Sequence, residues 1–209
     1  MAASAEPAPF GAPVDVRAAT SAPARIALAD VAPQPWRNGG GVTRELLLWP
    51  SDATWSVRIS VADIAADGPF STFPGVQRWF AVLEGDGVRL SLAAGDRRQV
   101  QSDPPLAFDG AEAPGCALLG GPTRDLNLML HCGARGRMER AESGVAWSAI
   151  EPLRACYTAG PARWQGGAGK QTVSLPAHTL LHGLPEGPQW LIAEGPEPML
   201  WIAVDPGGD

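Results

Sequence analysis

The sequence predicts an all-β protein, a barrel or sandwich built from many short strands. Its 209 residues include 25 glycines and 21 prolines, which favour tight turns over long helices. Short apolar runs alternate with polar residues at a period of two, as in WSVRISVA and DLNLMLHC, and turn signals separate them. The chain is long enough for one large core or for two halves packed closely together.

Charge and composition exclude several classes of protein. A net charge of −6 and the lack of a basic run argue against nucleic-acid binding, which needs clustered lysine and arginine. No apolar run approaches the roughly 20 residues of a membrane-spanning helix, and the N-terminus lacks a signal-peptide pattern. The cysteines Cys116, Cys132 and Cys156 form no Cys-x-x-Cys motif and cannot all pair, which favours a reducing, cytoplasmic compartment.

The chain begins with a segment of low complexity. Residues 1–24 are rich in alanine and proline, and we expect them to form a flexible leader. A first strand follows from residue 24, and WRNGGGVTRELLLWP, residues 36–50, predicts a glycine-rich loop that leads into a strand over 43–49. The three glycines at 39–41 either present their N–H groups to an anion or form an ordinary turn.

Two predicted strands carry one apolar and one mostly polar face. In residues 55–62, alternation places the tryptophan, valines and isoleucine on one side and Arg58 and Ser60 on the other. In residues 125–132, three leucines face one way, and the opposite face carries Asp125, Asn127, Met129 and His131. The polar faces either lie on the outside of the protein or line a polar cavity, and periodicity alone does not decide between these.

The stretch DGPFSTFPGVQRWFAVLEGDGVRL, residues 67–90, lies between these two strands. Turns at 68–69 and 74–75 frame Phe70 and Phe73, and the run 79–83 predicts a strand. Gly-Asp-Gly at 85–87 predicts a hairpin to the next strand, because glycine supplies the positive φ of tight turns. The charged connector at 134–144 leads into further strands and turns with few polar candidates.

Metal binding and nucleophilic catalysis have weak support. His178 and His182 are four residues apart, which on a helix would place both on one face, but no carboxylate lies near them before Glu186. There is no His-x-His, no Gly-x-Ser-x-Gly, and no cysteine in an electropositive motif. The cluster GGAGKQ at 166–171 departs from the spacing of a P-loop. We therefore expect no metal and no cofactor.

The candidates for chemistry are polar residues on strand faces and in the adjoining loop. Arg58 and Arg78 offer two-pronged donors for a carboxylate. Glu45 or Asp125 either neutralises these arginines in structural ion pairs or acts as a general base. The expected ligand-binding residues are Asn38, Thr43, Arg58, Ser60, Arg78 and Asn127.

Four segments of the chain together resemble the HutD/Ves family. They are WRNGGGVTRE at 36–45, RISVADIAADGPFSTFPGVQRWFAVLEGDGVRL at 58–90, FDG at 108–110 and GPTRDLNLML at 121–130. The match covers about residues 33–131, and the string DGPFS-x-FPG followed by arginine and Leu-x-Gly-x-Gly is specific. The family usually has tryptophan directly before the arginine, where this chain has Val57; Trp55 keeps the aromatic on the same strand face.

The resemblance implies a cupin-type fold of RmlC-like jelly-roll barrels in a compact two-cupin arrangement. The N-terminal half is then expected over 25–133 and the C-terminal half over 134–209. The resemblance also implies association with bacterial histidine utilisation, a regulatory role, the absence of the usual cupin metal motif, and a polar strand face that lines the barrel lumen. A homodimer formed through strand edges is an expectation by analogy with the fold.

Three functions remain open on the sequence. The first is a cytoplasmic, metal-independent protein that binds a small anionic metabolite, its carboxylate held by Arg58 or Arg78. The second is a metal-independent isomerase or hydrolase that acts on a small carboxylate and uses Glu45 or Asp125 as general base. The third is a protein-interaction module without a ligand.

Overall fold

The computed structural model describes residues 22–167 and 171–207 of the chain. The predicted flexible leader, residues 1–24, lies outside the described residues except at its C-terminal end. Residues 168–170 of the second glycine cluster also lie outside them. In the described part of the chain, no helix has the length and apolar character needed to span a bilayer.

The described residues form eighteen strands and two short 3-10 helices. The strands are β1 (Ala24–Ala27), β2 (Gln34–Pro35), β3 (Gly41–Trp49), β4 (Val57–Ile64), β5 (Gly68–Pro69), β6 (Gln77–Glu84), β7 (Val88–Leu92), β8 (Gly95–Gln99), β9 (Leu106–Asp109), β10 (Gly115–Leu118), β11 (Thr123–Leu130), β12 (Arg135–Arg140), β13 (Leu153–Thr158), β14 (Ala162–Gly166), β15 (Gln171–Leu175), β16 (Thr179–His182), β17 (Trp190–Ala193) and β18 (Met199–Asp205). The 3-10 helices are Leu28–Asp30 and Gly110–Glu112.

The strands form four sheets whose pairings are all antiparallel. A six-stranded sheet has the order β2-β3-β4-β11-β6-β9, and a four-stranded sheet has the order β5-β10-β7-β8. A five-stranded sheet has the order β1-β16-β13-β18-β12, and a three-stranded sheet has the order β15-β14-β17. The predicted all-β class is therefore confirmed.

The two large sheets pack face to face across the central core. Val57 and Ile59 of the six-stranded sheet share one buried cluster with Tyr157 and Ile202 of the five-stranded sheet. The opposite faces of the large sheets pack on the smaller sheets through two separate clusters. The molecule thus has four layers, because alternate residues of each central strand are buried on opposite sides.

The glycine turn at 85–87 differs from the prediction. Gly85 and Gly87 have φ angles of +88° and +91°, as expected for a tight turn. However, β6 pairs with β9 and β11, whereas β7 pairs with β8 and β10. The predicted hairpin is therefore wrong, and the turn instead carries the chain from one layer to the next. The turn is tightly packed, since a Cβ on Gly85 would lie 2.5 Å from the carbonyl oxygen of Pro122.

The first described strand joins a sheet that otherwise comes from the end of the chain. β1 pairs with β16, while the remaining strands of that sheet all begin at or after Arg135. We keep the division into residues 25–133 and 134–209 as a proposal, in which β1 crosses to the sheet of the second half. Such a crossing ties the two halves together by backbone hydrogen bonds in addition to the central core.

Candidate functional site

A pocket of about 530 Å³ opens on the polar face of the six-stranded sheet. The register of β4 and β11 places Ser60 opposite Asn127. Met129 of β11 lies between Arg58 of β4 and Arg78 of β6. All five side chains line the pocket. The polar face that alternation left unassigned therefore lines a cavity.

Aromatic side chains from two loops form the walls. Phe70 and Phe73 come from the turn-rich stretch before β6, and Trp36 comes from the loop before β3. The indole Nε1 of Trp36 donates a hydrogen bond to Thr43 Oγ1 at 2.8 Å. Thr43, a predicted ligand-binding residue, therefore lines the pocket, and its hydroxyl accepts a hydrogen bond from the wall residue Trp36.

The three glycines at 39–41 form a turn at the mouth of the pocket. Gly39 has a φ of +71°, and the N–H of Gly40 donates to Asn38 Oδ1 at 3.0 Å. The carbonyl of Gly40 accepts from the N–H groups of Ala65 and Ala66. Of the two roles considered for these glycines, anion binding through N–H groups or an ordinary turn, the contacts fit the turn. Asn38 lines the pocket.

Arg78 is a buried cation without a carboxylate partner among the described residues. Only 5% of the residue is exposed, and the rings of Phe70 and Phe108 lie 4.9 and 5.1 Å from its Cζ. Nη2 donates to Asn127 Oδ1 at 2.7 Å, whereas the buried Nε has no partner. The pKa of Arg78 is lowered to about 10, mainly by burial. The charge of Asp125 raises this pKa and the charge of Arg58 lowers it, and the value of about 10 includes both effects. The guanidinium therefore remains charged at neutral pH.

Arg58 differs because its charge is neutralised. Its Nη2 lies 2.9 Å from Glu45 Oε1, and its Nη1 donates to the sulfur of Met129 at 3.7 Å. Glu45 also accepts from Gln34 Nε2 at 3.1 Å and does not line the pocket. The structural ion-pair alternative thus describes Glu45 and Arg58, although the buried Nε of Arg58 stays unpaired.

Asp125 is the carboxyl group that lines the pocket, and only 1% of the residue is exposed. Its Oδ1 accepts a hydrogen bond from Asn127 Nδ2, while its buried Oδ2 has no partner. Burial raises the pKa of Asp125 to about 8, although the charge of Arg78 and the hydrogen bond from Asn127 lower it. Asp125 therefore holds its proton more tightly than an exposed aspartate does, and it forms no ion pair with Arg78.

The two histidines do not form the pair that their spacing would give on a helix. His178 precedes β16 with a φ of +55°; its Nε2 lies 2.7 Å from Glu84 Oε1 and its Nδ1 lies 3.1 Å from the Tyr157 hydroxyl. His182 ends β16 and is buried. His178 therefore makes structural contacts with Glu84 and Tyr157. His131, expected on the polar face, follows the end of β11 and lies outside the pocket.

The pocket lining does not fit the metal site of cupin enzymes. The lining contains one carboxyl group, Asp125, and no histidine or cysteine. Over residues 22–167 and 171–207, no group of three His, Cys, Asp or Glu side chains is arranged to hold a metal ion. Arginine and amide donors dominate instead, and these groups suit an anion.

Sequence reasoning found the polar lining but missed part of the pocket. All six predicted ligand-binding residues line it, as does Asp125. Trp36 and Met129 were not predicted as lining. Met129 was detectable, because alternation placed it on the polar face of its strand, and the register then puts it between the two arginines. Trp36 gave no such signal, since the direction of a loop side chain is not periodic.

Comparisons with known proteins place these features in a family. The sequence profile described as HutD matches residues 28–190. An uncharacterised 21.2 kDa protein in the hutC 3′ region of Pseudomonas putida is 42% identical over 97 residues, 46% of this chain and 51% of that protein. Protein Ves of Cronobacter sakazakii is 31% identical over 123 residues, 54% of this chain and 68% of Ves. This chain spans about half the length of most curated relatives that it matches.

Solved structures establish the fold type. A conserved protein of unknown function from Pseudomonas aeruginosa, PA5104, has a TM-score of 0.77 and 29% identity, covering 88% of this chain and 100% of its own. HutD from Pseudomonas fluorescens has a TM-score of 0.76 and 24% identity over 90% of this chain and 100% of its own. The oxalate decarboxylase of Lactobacillus farciminis has a TM-score of 0.57 at 11% identity, over 92% and 88% of the two chains. The cupin-type fold is confirmed.

Proposed function

Because the chain belongs to the HutD family, we propose that it binds a small carboxylated metabolite and acts, without a metal, in the regulation of histidine utilisation. The observation that carries the proposal is Arg78, a buried guanidinium that forms no ion pair with a carboxylate of the described residues. Removing such a charge from water costs several kcal/mol unless a counter-charge accompanies it. A ligand carboxylate would supply that charge and two charge-assisted hydrogen bonds.

The two arginines have different roles in this proposal. Arg58 is already paired with Glu45, so it adds no uncompensated charge to the pocket. Arg78 carries the excess positive charge and has an unpaired Nε of its own. A planar two-oxygen anion matches the fork of Arg78, which a lysine could not reproduce.

The size and the walls of the pocket support a small metabolite. A volume of about 530 Å³ lies within the range of about 300–1,000 Å³ that small-molecule sites usually have. Trp36, Phe70 and Phe73 give it apolar walls, while the polar groups converge on the floor. This combination of apolar walls with a few placed polar groups is typical of a site that fixes the orientation of one small ligand.

The genomic description of a relative supports the pathway. The P. putida protein is described as lying in the hutC 3′ region, and the family profile is that of HutD. Intermediates of histidine degradation carry carboxylates. These intermediates are therefore the first ligands to test against the pocket.

Calorimetry and thermal shift with urocanate, formiminoglutamate, formylglutamate, glutamate and formate test the proposal. We expect at least one of them to bind, with the affinity reduced by about tenfold or more in Arg78→Lys, which keeps the charge but loses the two-pronged geometry. Arg89→Lys is the matched control, since Arg89 is exposed on β7 outside the pocket. Absence of binding at millimolar concentrations, or equal losses in both variants, would contradict the proposal.

A second candidate is a metal-independent enzyme, and the observation that favours it is the unpaired Oδ2 of Asp125 in the pocket. Burial raises the pKa of Asp125 to about 8, close to the pH at which a general acid or base works best. Glu45 is less suited, because Arg58 and Gln34 occupy its oxygens. Turnover of a pathway intermediate that Asp125→Asn abolishes, with binding retained, would favour this function.

A further inference from the structure

Three side chains form a directed hydrogen-bond chain across the pocket floor. Arg78 can only donate, so Asn127 must present its Oδ1 to Arg78 and its Nδ2 to Asp125. The Oδ1 of Asp125 is therefore fixed as an acceptor. Its second oxygen, Oδ2, is buried and has no partner, and Asp125 is one of the residues that line the pocket.

We propose that Asp125 is a specificity-determining residue, whose carboxyl group donates a hydrogen bond through Oδ2 to the bound carboxylate. The inference rests on the proposed binding function and deepens it. The proton stays on Asp125 in the complex, so no covalent bond changes. The ligand carboxylate then accepts from both Arg78 and Asp125, and this corner of the pocket presents hydrogen-bond donors only.

An ionised Asp125 would act in the opposite way. Two carboxylates that meet in a buried site repel each other, and one of them must take up a proton. Asn127 joins Asp125 to Arg78, and all three residues line the pocket, so a ligand carboxylate held by Arg78 would lie near the Asp125 carboxyl group. Protonation of Asp125 removes this repulsion and converts Oδ2 from an acceptor into a donor.

The surroundings of Asp125 contain charges of both signs. Burial is the largest influence on its pKa and raises it to about 8; the charge of Arg78 lowers it and that of Asp63 raises it. The charged or titratable groups on the neighbouring strands are Arg58 and Asp63 on β4, Arg78 and Glu84 on β6, and Cys116 on β10. Burial raises the pKa of the Cys116 thiol to about 12, so it stays neutral. Arg58 is occupied by Glu45.

The inference predicts a selectivity as well as a pH dependence. A pocket corner that offers only donors prefers a carboxylate over the corresponding amide, because the amide N–H₂ would face donors without an acceptor. Formate and formamide, or formylglutamate and its amide, are matched pairs for this comparison. We expect the carboxylate to bind at least about tenfold more tightly at pH 7.

The test is calorimetry of the full chain with formate and formylglutamate between pH 6.5 and pH 9. We expect wild-type affinity to be nearly constant to about pH 7.5 and to fall towards tenfold per pH unit above pH 8, with proton uptake on binding. Asp125→Asn should bind up to about tenfold more weakly at pH 7 and lose most of this pH dependence. Asp96→Asn, at an exposed position of β8, should behave as wild type.

The possible results separate the inference from the function on which it rests. Binding of the probes with an affinity that is flat or rises up to pH 9 would overturn the inference and leave the binding function standing. Failure of both probes to bind at pH 6.5 would overturn both. A ligand-free measurement adds a direct check: the infrared difference between wild type and Asp125→Asn at pH 7 should contain the C=O band of a protonated carboxylic acid. Its absence would overturn the inference even if the probes bind.

Discussion

Replacing Arg78 with methionine should leave the folded protein about as stable as before while abolishing carboxylate binding. Methionine is long, flexible and apolar, and its sulfur packs well against rings such as Phe70 and Phe108. A residue that the fold needs would not tolerate this change. The substitution therefore separates a side chain retained for a ligand from one retained for folding.

The magnitude follows from the burial of the Arg78 charge. Its pKa falls from 12.5 to about 10, which corresponds to a cost of about 3 kcal/mol at ~1.4 kcal/mol per pKa unit. Because the folded-state pKa lies below the unfolded value, this cost is fully present below pH 10. The substitution also removes a hydrogen bond from a charged donor, worth ~2 kcal/mol, and cation–π contacts of ~1 kcal/mol. Gain and loss nearly cancel, so we expect a net change within about 1 kcal/mol.

Arg154→Met is the matched control for this prediction. Arg154 is also buried, with 6% of the residue exposed, but it donates to the backbone carbonyls of Leu184 and Glu151. Its loss leaves two carbonyl groups without their donors, at a cost of about 1–3 kcal/mol each where they are buried. Arg154→Met should therefore lose about 3 kcal/mol.

Urea unfolding of the ligand-free proteins at neutral pH gives the free energies, and calorimetry with formylglutamate gives the binding. Equal m-values across the three proteins would show that the midpoints report stability. A loss of 3 kcal/mol or more in Arg78→Met would refute the reasoning, because Arg78 would then be part of the folding core. Undiminished carboxylate binding by the same variant would refute its role as the ligand's counter-charge.

Three further predictions concern the site and its support. Asp125→Asn should raise the melting temperature above that of wild type, by a margin that widens from pH 5 to pH 8. The pKa of Asp125 is raised to about 8 in the folded state, so the folded wild-type protein binds this proton more tightly than the unfolded chain. Wild type therefore loses stability as the pH rises through that window, whereas the asparagine variant does not. Parallel thermal melts measure the margin, and a constant margin would contradict the prediction. Gly85→Ala should cost at least about 1–3 kcal/mol in urea unfolding, because a Cβ there would meet a backbone carbonyl oxygen at 2.5 Å and φ is +88°. Gly121→Ala, which meets no atom within 4 Å, should change little, and a similar loss in both would count against the packing argument. Tyr157→Phe should cost about 1 kcal/mol by removing the contact between its hydroxyl and His178 Nδ1 at 3.1 Å, and an unchanged unfolding midpoint would argue against that bond.

Local patterns were sufficient to predict the strands but not their partners. Alternation in residues 55–62 and 125–132 correctly separated the apolar from the polar faces of β4 and β11, because side chains on a strand alternate strictly. The turn at 85–87 was recognised, yet its hairpin was wrong. Whether a tight turn joins paired strands or two layers depends on contacts with distant strands, such as β9 and β10.

The same limit explains what was missed in the site. The pairing of β3 with β4 shifts register between Glu45 and Leu47, which places Glu45 opposite Ser60. One extra residue in a strand reverses the faces of all that follow, and the sequence carries no clear signal for it. The ion pair between Glu45 and Arg58, which neutralises one arginine and leaves Arg78 free, was therefore only one of several alternatives before the fold was known.

The distribution of buried polar groups argues that binding belongs to the N-terminal half. Ser60, Asp125 and Asn127 are all buried on the face of the six-stranded sheet that lines the pocket, where burial of polar groups costs stability. On the five-stranded sheet, the corresponding space towards its smaller partner sheet is filled by a cluster that includes Trp164 and Trp201. A sequence selected for stability alone would fill both spaces in the apolar way. We infer that the second half supports the fold through the central core, while the first half gives up packing to keep a pocket with an unneutralised guanidinium.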